Sequence, residues 1–219
     1  MTWRLLQLAD SGFPSGGFAH SAGLEVAVLI GELSDPARLD SWVRAHLWST
    51  GHGSLPFVGA AHDEPAELAR LGGLVDAFLT NHVANRASRT QGRAFLATCA
   101  RVFDEPALLP LARRLRATEV AAHFAPVFGA TLAELGLSRQ DALSVHLLIA
   151  LRNAASAAVR LGVVGPHEAQ RLQRRHAETM EAVLAACASL RPEVAASAAP
   201  LQDVFGAAHD RLHTRLFQS

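Results

Sequence analysis

The chain has 219 residues, is half hydrophobic and balances 20 acidic side chains with 20 basic ones, all of them arginine, since lysine is absent. A P-loop needs its lysine on the phosphates and Schiff-base catalysis needs a lysine amine, so both are excluded. The zero net charge leaves no global field to attract nucleic acid or a membrane surface.

Alanine and leucine dominate, tyrosine is absent and β-branched runs are scarce, which favours helices over strands. The first distinctive stretch is Gly12 to Glu25, with four glycines, Pro14, two serines and His20 ahead of an apolar run. Asp35-Pro36 has the form of an N-cap with proline at the first helical position. Leu39, Trp42, Val43, His46 and Leu47 follow at helical spacing, and Gly51 and Gly53 are expected to interrupt them. Glu64-Pro65 opens a helix carrying Leu68, Leu71, Val75, Phe78 and Leu79. Residues 85–103 read as a helix with Arg86, Arg89 and Arg93 on it, and residues 106–117 as a short basic helix.

Pro126 opens a segment ending near Gly136, after which Ser138 caps a long helix to about Leu161. Between Ala142 and Leu161 only Arg152 and Arg160 are charged, the pattern of a helix at the centre of a bundle. From Gly165-Pro166 a single helix is expected, with Ala169, Leu172, His176, Met180, Val183, Cys187 and Leu190 on one face. The tail from Pro200 ends in HDRLHTRLFQS. No segment alternates, so the predicted fold is all-α, one domain over residues 1–219 built as a bundle of about eight to ten helices.

Residues 1–85 hold four arginines and nine acids, residues 86–219 sixteen arginines and eleven acids. Such a division suits docking to other proteins or across a dimer; undirected variation of surface charge produces it equally well. No basic segment leads into an apolar run at the N-terminus, and the apolar stretches read as too interrupted to span a bilayer, so a cytoplasmic location is expected. Cys99 and Cys187 stand apart, as small buried groups rather than a disulfide framework.

The glycine-rich opening has neither the spacing of a phosphate cradle nor the Gly-x-Ser-x-Gly of a nucleophile elbow, which leaves a structural turn. Ser21 beside His20 is no catalytic pair, because adjacent helical residues do not face each other. His209 and His213, at i and i+4 with Asp210 between them, are weak candidate ligands for Zn²⁺ or Ni²⁺. Asp63-Glu64 and Asp104-Glu105 sit before prolines, as acids at helix starts. From the residues alone the chain reads as helical, cytoplasmic and non-catalytic, with no cofactor.

Four blocks in order resemble the urease accessory family UreF. They are Leu5 to Leu8 followed by Pro14 to Glu25; Arg86 to Gly92; His123 to Gly129 with Leu135-Gly136-Leu137; and Ala157 to Gly162. The tail His209 to Ser219 resembles that family's C-terminus as well. His20 and His213 stand where many relatives would carry tyrosine. The resemblance implies a dimer-forming, non-enzymatic maturation factor. It would bridge the accessory protein UreD (also called UreH) and the GTPase UreG while nickel is delivered to apo-urease. It further implies partner-binding roles for His20, Glu25, Arg86, Ser88, Arg89, Gln91, Arg160, Arg211, Arg215 and Phe217, with Glu25 and its neighbours at a partner surface. A nickel-carrying metallochaperone, or a small helical hydrolase using His123 or the His209/His213 pair, remain the alternatives. The tail is expected to order on the UreD-type partner, with docking of Leu216 and Phe217 on the protein's own core as the competing arrangement.

Overall fold

A computed structural model of the chain describes residues 3–33, 35–117 and 121–218; the terminal Ser219 of the tail block lies outside them. Among the described residues there are helices and no strands. They run α1 (Trp3–Ala9), α2 (Leu24–Leu29), α3 (Pro36–Gly53), α4 (Leu55–Asp63), α5 (Leu68–Phe78) and α6 (His82–Val102). There follow α7 (Leu108–Ala117), α8 (Phe124–Glu134), α9 (Arg139–Arg160), α10 (Pro166–Arg175), α11 (Ala177–Cys187) and α12 (Pro200–Ala208). Short 3-10 turns at Gly17–Ala19, Pro65–Glu67, Pro192–Val194 and His209–Arg211 join some of them. The segment count exceeds the expected eight to ten for two local reasons.

The first is α4, which is not among the elements expected from the sequence. Glycines 51 and 53 do not interrupt α3; it runs through both. Gly51 is there for space, since a Cβ at that position would meet Val183 and the Cys187 sulfur of α11. The chain then restarts after Ser54 as α4, with Pro56 in its first turn and Leu55, Phe57, Val58 and Ala61 buried. The second is a break at His176, whose φ and ψ of −88° and 5° divide the single helix expected over residues 166–190. The anticipated stripe survives the break, because Ala169, Leu172, His176, Val183 and Cys187 are all buried.

Capping is as the sequence implied. The Asp35 carboxylate accepts from the Ala37 and Arg38 amides at 2.8 and 2.9 Å, and Ser138 Oγ accepts from the Asp141 amide at 3.1 Å. Asn81 caps α6 in the same way, starting it one turn before the expected Asn85.

Helix α9 is the central element, packed on α1, α3, α4, α8, α10 and α11. By length and apolarity alone it could cross a membrane, contrary to the expectation from its interruptions, but its apolar window is mostly buried inside the protein. Arg152 and Arg160, the two arginines of its apolar stretch, both bind backbone carbonyls of the N-terminal region: Arg152 donates to Ala9, the last residue of α1, and Arg160 to Phe18. Beside it Phe95, Phe124 and Phe128 of α6 and α8 pack with ring centroids 5.0–5.6 Å apart. Phe95 and Phe128 are fully buried, each contributing about 1.5–3 kcal/mol of transfer free energy. Both cysteines are buried, and burial pushes the Cys99 thiol up to about 12.

Candidate functional site: the junction of loop, tail and arginine helix

Four segments far apart in sequence meet at one end of the bundle. They are the glycine-rich loop, the start of α6, the end of α9 and the C-terminal tail. The loop folds as a turn. Gly16 and Gly23 take φ of 81° and 85°, a region L side chains rarely enter. At Gly23 a Cβ would also lie 2.9 Å from the Gln202 carbonyl and the Gly206 amide of α12. That tight crossing sets Glu25 in the first turn of α2, against the tail.

Glu25 is the hub, and it is internal. Its side chain is buried, with the residue 3% exposed. Oε2 accepts from His209 Nε2 at 2.9 Å and from the Phe217 amide at 3.3 Å, and Oε1 accepts from the Leu216 amide at 2.6 Å. A carboxylate has only lone pairs to offer, so His209 carries its hydrogen on Nε2. The expectation of Glu25 as a surface group is therefore corrected: its carboxylate is buried and accepts from His209, Leu216 and Phe217 of the chain's own fold.

The tail continues along the loop, with the Gln218 amide donating to Ala19 O at 2.8 Å. Arg160 locks the two together. Its guanidinium lies 4.2 Å from the Phe18 ring centroid and 4.0 Å from that of Phe217. It donates to Phe18 O at 2.7 Å and Leu216 O at 3.2 Å. The apolar pair of the tail is thus divided: Phe217, 5% exposed, joins the core, while Leu216 is 50% exposed. Core docking of Phe217 is the arrangement found.

On the outer side Asp210 gathers side-chain hydrogen-bond donors. It accepts from Arg86 at 2.9 and 3.1 Å and His82 Nε2 at 3.2 Å, and Arg215 lies at 3.5 Å. The Arg86 hydrogen bonds chiefly hold its carboxyl below the usual carboxylate range. Arg215 is tied within the tail, donating to Asp210 O at 2.7 Å and Leu212 O at 3.3 Å. Arg211 is exposed. His20 is half-buried on the loop; burial chiefly lowers its pKa, with the charges of His209 and Arg86 acting in the same direction.

The histidine pair proposed from spacing is not formed. Helix α12 ends at Ala208, so His209 turns inward to Glu25 while His213 lies exposed in a bend.

Arg89 lies on the same face of α6 as Arg86, and Ser88 and Gln91 turn to its inward side. Asp76 of α5 accepts from Arg89, from Asn85 at 2.9 Å and from His123 Nε2 at 3.1 Å. His123 Nδ1 lies 3.1 Å from Ser88 Oγ, which also accepts the Phe124 amide at 3.1 Å. Arg89 above all, then Asn85, holds Asp76 well below the usual carboxylate range. Gln91 lines a cavity of about 380 Å³ together with His20, His46, Ser88, Phe124 and His146. Burial lowers the pKa of His46 and brings that of His146 to about 4.

Sequence reasoning missed Asp76, His82, Phe18 and the structural weight of Asp210. Phe18 was readable as an apolar residue stranded between glycines, whereas Asp76 becomes visible only when α5 and α6 are brought together.

The UreF family model matches residues 33–177. Urease accessory protein F of Arabidopsis thaliana is 38% identical, the match covering 100% of this chain and 93% of the relative. Its counterpart in Oryza sativa subsp. indica is 36% identical, over 98% of this chain and 84% of the relative. Urease accessory protein UreF of Arthrobacter sp. (strain FB24) is 27% identical, over 98% and 96%. The full-length matches take in the loop and the tail, which lie outside the segment matched by the family model. On this evidence the chain belongs to the UreF family of urease accessory proteins.

Proposed function

We propose that this protein is a non-catalytic scaffold of urease maturation. It bridges a UreD/UreH-type accessory protein and a UreG-type GTPase while nickel is delivered to apo-urease, acting as one domain and as a homodimer in the cytoplasm. The observation that carries the reading is the junction of loop, α6 and tail. Residues from the blocks that resemble the family converge there, and the surface they leave outward mixes arginines with apolar side chains. Arg86, Arg211, Arg215 and Leu216 are exposed, and Phe18 is 62% exposed. Arginine forks beside apolar anchors are the usual composition of an interface centre. This role asks no bond-making chemistry of the chain itself, and nickel is its cargo.

The test is co-expression of the tagged chain with a UreD/UreH-type protein, a UreG-type GTPase and apo-urease. Arg215→Ala and Leu216→Asp are expected to lower recovery of the partners while circular dichroism and melting temperature stay near wild type. Full recovery of both partners by the two variants would remove this surface from the bridging role.

A further inference from the structure

The hydrogen bonds around Ser88 fix a proton order that bundle packing alone does not require. Asp76 is held ionised by Arg89, Asn85 and His123, so it can only accept. The hydrogen of the His123 ring therefore sits on Nε2, 3.1 Å from Asp76 Oδ1. His123 is completely buried, and that burial, only partly offset by Asp76, lowers its pKa. The ring is then neutral near pH 7 and Nδ1 bears a lone pair. Ser88 Oγ lies 3.1 Å from that lone pair. The Phe124 amide already occupies one lone pair of Oγ at 3.1 Å, so the hydroxyl hydrogen must point to Nδ1. One lone pair on Oγ remains. Ser88 and Gln91, one helical turn apart on α6, both line the 380 Å³ cavity, and Gln91 puts a side-chain amide on the same wall.

We propose that Ser88 is an activated nucleophile, with His123 as its base and Asp76 as the positioning group, that accepts the acyl group of a small uncharged carboxylic ester entering this cavity. A hydroxyl, an imidazole and a carboxylate in hydrogen-bonded series form such a unit by geometry and role, whatever their order in the chain. Ser88 Oγ attacks the ester carbonyl as its proton passes to His123 Nδ1. The new Oγ–C bond forms, the ester C–O bond breaks, and the proton on Nδ1 leaves with the alkoxide as free alcohol. Asp76 stabilises the transient imidazolium. The products are acyl-Ser88 and an alcohol, and the step needs no other reactant. The inference is independent of the urease scaffold reading.

The absence of lysine makes the test unusually clean, because lysine amines, the ordinary sites of stray acetylation, are missing. The full-length protein is treated with p-nitrophenyl acetate, p-nitrophenolate release is followed, and peptide mass spectrometry locates the adduct. The expected result is one acetyl group per chain on Ser88, formed at least about 100-fold faster than on an ordinary serine hydroxyl, the lower range of general-base assistance. Ser88→Ala should abolish it and Asp76→Asn should slow it about tenfold or more. The wild-type rate should also level off by neutral pH, since its base is already deprotonated there. Absence of a Ser88 adduct in the wild type, an unchanged rate in a folded Asp76→Asn, or a rate still rising tenfold per pH unit to pH 9 would each overturn the proposal. The pH profile decides the matter if the aspartate variant does not fold.

Discussion

Replacing Glu25 by alanine removes three acceptor contacts at once, to His209 and to the amides of Leu216 and Phe217. Each hydrogen bond contributes about 0.5–1.5 kcal/mol net, and more where the acceptor is charged. The three together oppose tail release by about 2–3 kcal/mol after the freed amides regain water. Every 1.4 kcal/mol is a factor of ten, so the released population should rise about 30- to 150-fold. The change is local, because Phe217 can leave its site without opening α9. Hydrogen exchange at the Leu216 and Phe217 amides should therefore accelerate by that factor, and trypsin should cut after Arg215 correspondingly faster. The amides of α9 should be much less affected. Glu25→Gln, which keeps one acceptor oxygen, should fall between. Exchange at the tail within threefold of wild type in Glu25→Ala would refute the reasoning that this side chain clamps it.

Arg160→Ala should also free the tail and cost about 1–2 kcal/mol in denaturant unfolding, since it loses two ring contacts and two carbonyl partners. Arg160→Lys should rescue it poorly, because an ammonium cannot stack as a planar guanidinium does; full rescue would contradict the sandwich. Gly23→Ala forces a side chain into φ of 85° and against the Gln202 carbonyl. It should destabilise by about 1–3 kcal/mol in thermal unfolding, and an unchanged melting temperature would refute the tight crossing. His146, whose pKa burial lowers to about 4 in the folded chain from the ordinary histidine value of about 6.5, binds a proton more readily when unfolded. Stability should therefore fall as pH drops from about 6.5 towards 4. Its share at pH 4.5 is about 2–3 kcal/mol, with the lowered His46 and His176 acting in the same direction. Urea unfolding of His146→Gln at pH 7 and 4.5 should show a smaller loss between the two than wild type, and an equal loss would refute this assignment.

The elements legible in the sequence were those whose signal is local. Ser138 followed by an almost uncharged run marks α9 because a cap and a buried surface need no distant partner. Asp35-Pro36 marks α3 for the same reason. Helix α4 was hidden because Gly51 and Gly53 read as breakers ahead of it, whereas Gly51 answers to α11, more than a hundred residues away. The break at His176 was invisible because the apolar stripe keeps its period across it. The junction was legible as a set of residue names and not as geometry. Arg86, Arg160, Arg215 and Phe217 were singled out and do converge. The inward turn of Glu25 and His209 depends on α12 crossing α2 at Gly23, which only the assembled chain defines.

The central claim is that this chain enables nickel to reach urease through a partner-bound scaffold. It is tested most directly by measuring the nickel content of urease produced with its other accessory proteins, with and without this chain. The account predicts nickel-loaded, active urease with the wild-type chain and largely apo-urease both without it and with the Arg215→Ala, Leu216→Asp double variant. Urease fully loaded with nickel in the absence of the chain would contradict it.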